Sequence, residues 1–179
     1  PDFRANYGDD IRSYKDELFL LNRGLYQFYK NKTLIISPIN TILRKLPKGK
    51  YFKTIDLEFA QTIDLSFLKK SLQLWGYESV NIIQERGEVS FREDIIDIFP
   101  INSETPFRIK LVETEIESIK KFDEYTQKSD EEVEGITILP AIASIEEKEF
   151  NQIVKNIENS EFNIFYKDYQ GLGYWFLEK

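Results

Sequence analysis

In Phe107-Arg-Ile-Lys-Leu-Val112, alternation sends Phe107, Ile109 and Leu111 to one face of a strand and Arg108, Lys110 and Val112 to the other. The first face is core; the second is a basic, partly apolar strip open to solvent or to a partner. Arg92 precedes a second apolar run, Ile95–Phe99, and falls near the strip if the two strands form a hairpin across Pro100–Pro106. A guanidinium is a planar fork that pairs with carboxylates in bidentate fashion, which suits it either to anchor an interface or to bridge within its own chain. The plain alternative is that each arginine bridges to an acid of its own chain, and Glu88, Glu93, Asp94 and Glu113 stand close in sequence.

Other chemistries find little support. With no His and no Cys the chain lacks the usual zinc ligands and the histidine of acyl-transfer triads. It has no Gly-x-x-x-x-Gly-Lys-Ser/Thr phosphate loop, and Gly171-Leu-Gly173 is a turn signal without the strand–helix setting of a dinucleotide fingerprint. Asp130, Glu131, Glu132 and Glu134 read as a solvated acidic loop that holds Mg²⁺ loosely at most. The expectation is therefore no catalytic residues, no metal and no cofactor. No apolar run approaches the roughly 20 residues needed to cross a bilayer, and the absence of cysteine fits a cytoplasmic location.

The elements that must position the strip follow from periodicity. The chain is 41% hydrophobic and 15% aromatic, enough for a core. Asp9 to Tyr29 reads as a helix with Leu18, Leu21, Leu25 and Phe28 on one face, and Thr33–Ser37 as a strand buried on both faces. Asn40 to Leu43 reads as a helical turn. This helix–strand–helix rhythm is part of an α/β layer. The net charge of −7 divides unevenly: residues 1–53 hold 11 Lys and Arg against 5 Asp and Glu, so the acidity lies downstream. Arg44, Lys45, Lys48, Lys50 and Lys53 mark the junction, a solvated linker in the simplest reading and a phosphate contact to DNA in the sharper one.

Beyond that junction, Tyr51–Phe59 is strand-like. Asp64 caps a helix from Leu65 to Trp75 whose apolar face is Leu68, Leu72 and Trp75, and Gly76 ends it in the left-handed region. From Ser79 to Leu139 short strands are broken at Arg86-Gly87, Asn102-Ser103 and Glu113-Thr114, which predicts an α+β unit: an antiparallel sheet carrying one helix. Near Pro140 the pattern returns to a charged amphipathic helix, Ile145–Ile157, a strand at Asn163–Tyr166 and an aromatic end. The first residue is Pro1 and the chain contains no Met, so it is expected to be an internal piece of a longer protein.

Seven ordered blocks carry a family resemblance: Gly76–Val80, Arg86–Arg92, Ile95–Pro100, Pro106–Ile109, Glu115–Ile119, Phe122–Gln127 and Ile138–Ala141. In order and spacing they resemble the UvrB-homology module near the N-terminus of transcription-repair coupling factors (Mfd). The likeness extends more weakly to Pro1–Phe3, Ser37–Asn40 and Gly173–Trp175. It implies a small α+β domain, residues 50–140, inserted in a partial helicase-like α/β domain contributed by residues 1–49 and 141–179. It also implies that the inserted domain docks the excision-repair protein UvrA, recruiting it to stalled RNA polymerase, and that the contact positions fall on Arg92, Arg108 and Val112, with Lys110 on the same strip. Polymerase binding and the ATP-dependent DNA motor would lie in other domains, and a C-terminal domain of the full-length protein would mask the docking surface. Two departures stand out: Val112 replaces the aromatic usual in relatives, and Glu93-Asp94 replaces glycines after Arg92. The alternative reading is a UvrB-type helicase or DNA-binding fragment.

Overall fold

The computed structural model describes residues 11–31, 34–42 and 49–142. They fall into two units, one of which is Lys53–Ala141.

In the other unit a short 3-10 turn, Ile11–Tyr14, leads into α1, Lys15–Asn31. Asp16 and Glu17 occupy its first turn and Lys30 its last, the polarity that complements the helix dipole. Leu18, Phe19, Leu21, Asn22 and Leu25 form its buried face. Phe28, expected on that face, is 43% exposed and stacks edge-on against Tyr29. Residues 34–37, the described part of the expected buried strand, have no regular structure, and Leu34 and Ile36 are exposed. A buried strand requires a ladder partner on each side, and none runs alongside among the described residues. A single turn, α2, spans Ile39–Ile42, one residue earlier than its sequence signal. Lys50 and Lys53 of the basic junction are exposed. Arg44, Lys45 and Lys48, the helix expected at Ile145–Ile157, the strand at Asn163–Tyr166 and the aromatic end lie outside the described residues.

The Lys53–Ala141 unit is α+β. It opens with β1, Ile55–Glu58, shorter than the strand-like run around it. Helix α3, Leu65–Leu74, starts at Asp64, whose Oδ1 accepts from the backbone N–H of Ser66 and Phe67. It ends in a Schellman motif: the Gly76 N–H donates to the Gln73 carbonyl and the Tyr77 N–H to the Leu72 carbonyl, with Gly76 at φ 80°. Leu68, Leu72 and Trp75 are buried, and the Lys69 ammonium lies over the Phe91 ring.

Strands β2 (Glu78–Ser79), β3 (Glu88–Phe91), β4 (Ile95–Ile98), β5 (Phe107–Val112), β6 (Glu115–Phe122) and β7 (Ser129–Val133) form one sheet in sequence order. All neighbours are antiparallel except β2 and β3, which run parallel. The last strand, β8 (Gly135–Ile138), pairs antiparallel with β1 as a separate two-stranded sheet. The residues before α3 are laced to the start of β6, with the Ile116 N–H donating to the Gln61 carbonyl and the Ile63 N–H to the Thr114 carbonyl.

One face of the large sheet carries the row Ile96, Ile109 and Ile119, all buried. On the opposite side, Phe99 and Phe122 at the strand ends pack with Ile83 in a second apolar cluster that has Val80 against it. Tyr77 closes the unit from within: its hydroxyl donates to the Leu139 carbonyl at 2.9 Å and accepts from the Ile101 N–H at 3.4 Å.

Candidate docking strip

Strand β5 alternates as its sequence predicts. Phe107, Ile109 and Leu111 are buried; Arg108 is half-buried, and Lys110 and Val112 are exposed, Val112 at 56%. The β4–β5 hairpin is present, and its register places Asp97 opposite Arg108. Carried sideways, that register makes one polar row across the sheet: Ser90, Asp97, Arg108, Lys120 and Glu132. The row borders the Ile83–Phe99–Phe122 cluster, and Lys110 and Val112 continue the strip away from it.

Asp97 is the centre of the row. It is 1% exposed, and its carboxylate accepts from two arginines. Arg108 is bidentate to it, Nε to Oδ1 at 2.7 Å and Nη2 to Oδ2 at 2.9 Å. Arg92 reaches the same Oδ2 through Nη2. Both arginines thus bridge to an acid of their own chain, though to Asp97 and not to Glu88, Glu93, Asp94 or Glu113; for Arg108 the β4–β5 register sets that partner. Glu88 instead accepts from the backbone N–H of Gln84 and Glu85. The Asp97 bond raises the Arg108 pKa above its ordinary value, against the opposing effect of burial.

Arg108 is held from two further directions. Its Nη1 donates to the Gln127 carbonyl at 3.1 Å, and its guanidinium carbon lies 4.6 Å from the centre of the Phe122 ring. The Phe122–Gln127 block thus forms the abutment of the strip. Asp123 Oδ1 accepts from the N–H of Tyr125 and Thr126, and the bonds from Thr126 lower its pKa. Gln127 takes φ 59°, and its side-chain amide donates to the Glu124 and Ile83 carbonyls.

The two arginines differ in availability. The Arg108 side chain is 22% exposed and that of Arg92 49%. Lys110 is paired with Glu117 at 2.6 Å, which raises its pKa. Glu93 and Asp94 make the β3–β4 turn without a positive φ, and the Arg92 N–H donates to the Ile95 carbonyl across it. The turn therefore does not depend on the glycine whose absence set this chain apart. Asp97 was the residue missed in the sequence; the available signal was a lone carboxylate interrupting the apolar run Ile95–Phe99.

The acidic stretch is a strand, β7, and not a loop. Glu131 and Glu132 pair with Lys121 and Lys120, and an exposed charged edge of this kind discourages pairing with another chain. Among the described residues no cluster of three or more Asp or Glu could hold a metal ion. Among them, too, no helix is long and apolar enough to cross a membrane.

The Lys53–Ala141 unit is an α+β domain that carries two arginines, both bonded to Asp97, on one face of its large sheet. Residues 55–143 match the family model described as the UvrB interaction domain. The chain belongs to the transcription-repair-coupling factor family and spans about a fifth or less of the length of the relatives it matches. Over 99% of its length it is 38% identical to the transcription-repair-coupling factor of Helicobacter pylori strain 26695, of which it spans 18%. It is 32% identical to that of Escherichia coli K12 over 74% of the chain and 12% of the relative. Against that of Bacillus subtilis strain 168 it is 36% identical over 60% of the chain and 9% of the relative.

Proposed function

We propose that the Lys53–Ala141 unit is the surface by which a coupling factor holds UvrA, with Arg92, Arg108, Lys110 and Val112 as contacts. The observation that supports this best is the guanidinium pair bonded to Asp97 on the face of β5 that also carries exposed Lys110 and Val112. Buried order with a directional charge is the usual composition of an interface anchor. Residues 1–49 and 141–179 then belong to a helicase-like α/β domain that receives the docking domain and has no chemistry or cofactor of its own. In the whole, cytoplasmic protein the docking step recruits UvrA to stalled RNA polymerase. Polymerase and DNA are engaged through domains outside this chain, and a C-terminal domain covers the strip until the motor works.

The test is a titration of this chain with UvrA, followed by variants. Arg108→Glu is a poor choice, because it sets a second carboxylate against buried Asp97 and threatens the fold. Lys110→Glu and Val112→Ser lie on exposed positions and leave the core alone. Each should weaken binding by about 1–2 kcal/mol with the circular dichroism spectrum unchanged. No detectable binding of the unsubstituted chain at about 50 μM would remove the proposal.

A further inference from the structure

The pairing of charges on the strip bears on the chemistry of its partner. Arg108 is immobilised by Asp97, Gln127 and the Phe122 ring, whereas Arg92 makes a single bond to Asp97 and is half exposed. The nearby cations are already matched: Lys110 with Glu117, Lys120 with Glu132 and Lys121 with Glu131. Asp97 offsets one of the two arginines, and Glu93 and Asp94 stand exposed in the adjoining turn. The strip thus has no surplus positive field to draw a polyanion. What it offers is directional: the planar fork of Arg92, tethered at one corner.

We infer that Asp97 is a positioning residue that orients Arg92, and that Arg92 binds a single carboxylate of the partner rather than a run of acidic or phosphate groups. The inference rests on the docking reading and adds to it the chemistry of the contact. Asp97 acts by holding one Nη of Arg92, so the partner's carboxylate meets a tethered fork instead of a mobile side chain.

Three measurements test it on the 179-residue chain with UvrA. Between about 50 and about 300 mM salt, Arg92→Gln should reduce the log–log slope of affinity by about one relative to the unsubstituted chain; a reduction of about two or more overturns the single-carboxylate contact. Arg92→Lys keeps the charge but loses the fork. It should cost about tenfold in affinity at an unchanged melting temperature, and wild-type affinity overturns the role of the fork. Asp97→Asn should cost a similar factor alone and almost nothing further in the Arg92→Lys background. An equal loss in both backgrounds shows that Asp97 serves the fold only. Where Asp97→Asn fails to fold, Asp97→Glu, which keeps the charge and displaces the fork by one methylene, is read in the same two backgrounds. Failure of the unsubstituted chain to bind UvrA would instead remove the docking reading itself, so the two failures are distinct.

Discussion

Asp97 and Arg108 face one another across β4 and β5 in a bidentate pair, with donor–acceptor distances of 2.7 and 2.9 Å and the carboxylate almost wholly out of water. Burying a carboxylate is unfavourable unless its lone pairs are satisfied, and here Arg92 supplies the remaining bond. The stiffness of the strip follows from that requirement.

The pair predicts an asymmetric mutational response. Arg108→Met leaves Asp97 with Arg92 alone and should destabilise the unit by about 3 kcal/mol in urea unfolding. Replacing both, Asp97→Leu with Arg108→Met, should recover most of the loss, because no charge is then left buried. A double variant no more stable than Arg108→Met would contradict this account.

Tyr77 predicts a pH effect. Its hydroxyl joins Leu139 and Ile101, and burial raises its pKa well above the usual phenol value. The folded state therefore keeps a proton that the unfolded state releases above about pH 10, so this contribution is full below that pH and is lost as pH rises. Tyr77→Phe should cost about 1–2 kcal/mol at pH 8 and show a flatter decline between about pH 9 and 11. Parallel pH profiles for the two proteins would refute the assignment.

Gly135 is required by the β1–β8 ladder. A Cβ there would lie 2.9 Å from the Leu57 carbonyl oxygen, a backbone atom that cannot turn aside. Gly135→Ala should lower stability by about 1–3 kcal/mol, measured by thermal unfolding. An unchanged melting temperature would mean that the two strands part easily.

Glu113 offers a gain. It holds φ 58° in the two-residue turn between β5 and β6, a region unfavourable to a residue with a Cβ. Glu113→Gly relieves that strain at some cost in unfolded-chain entropy, for a net stabilisation of roughly 0.5–1 kcal/mol. Calorimetry should show a rise of a few degrees, and a fall would place the strain elsewhere.

Much of this architecture is legible in the residues because its causes are local. The Asp64 cap, the Gly76 terminus and the Leu68–Leu72–Trp75 face are written within α3 and its borders. The alternation of β5 has a period of two and needs no partner to be read, and the hairpin to β4 follows from the punctuation between them. On those grounds Arg108, Lys110 and Val112 come to one face from sequence alone.

What the tertiary structure decided is which groups meet. The α1 periodicity includes Phe28, yet that side chain stays 43% exposed with Tyr29 edge-on against it, and the run at 34–37 has no ladder to join among the described residues. The parallel pairing of β2 with β3 and the pairing of β1 with β8 join segments whose sequences carry no mark of each other. The same holds for Asp97, which lies eleven residues from Arg108 and binds it through strand register. Periodicity records which side of an element a residue occupies; the hydrogen-bonded register between elements determines what stands opposite, and that is a long-range property of the folded chain.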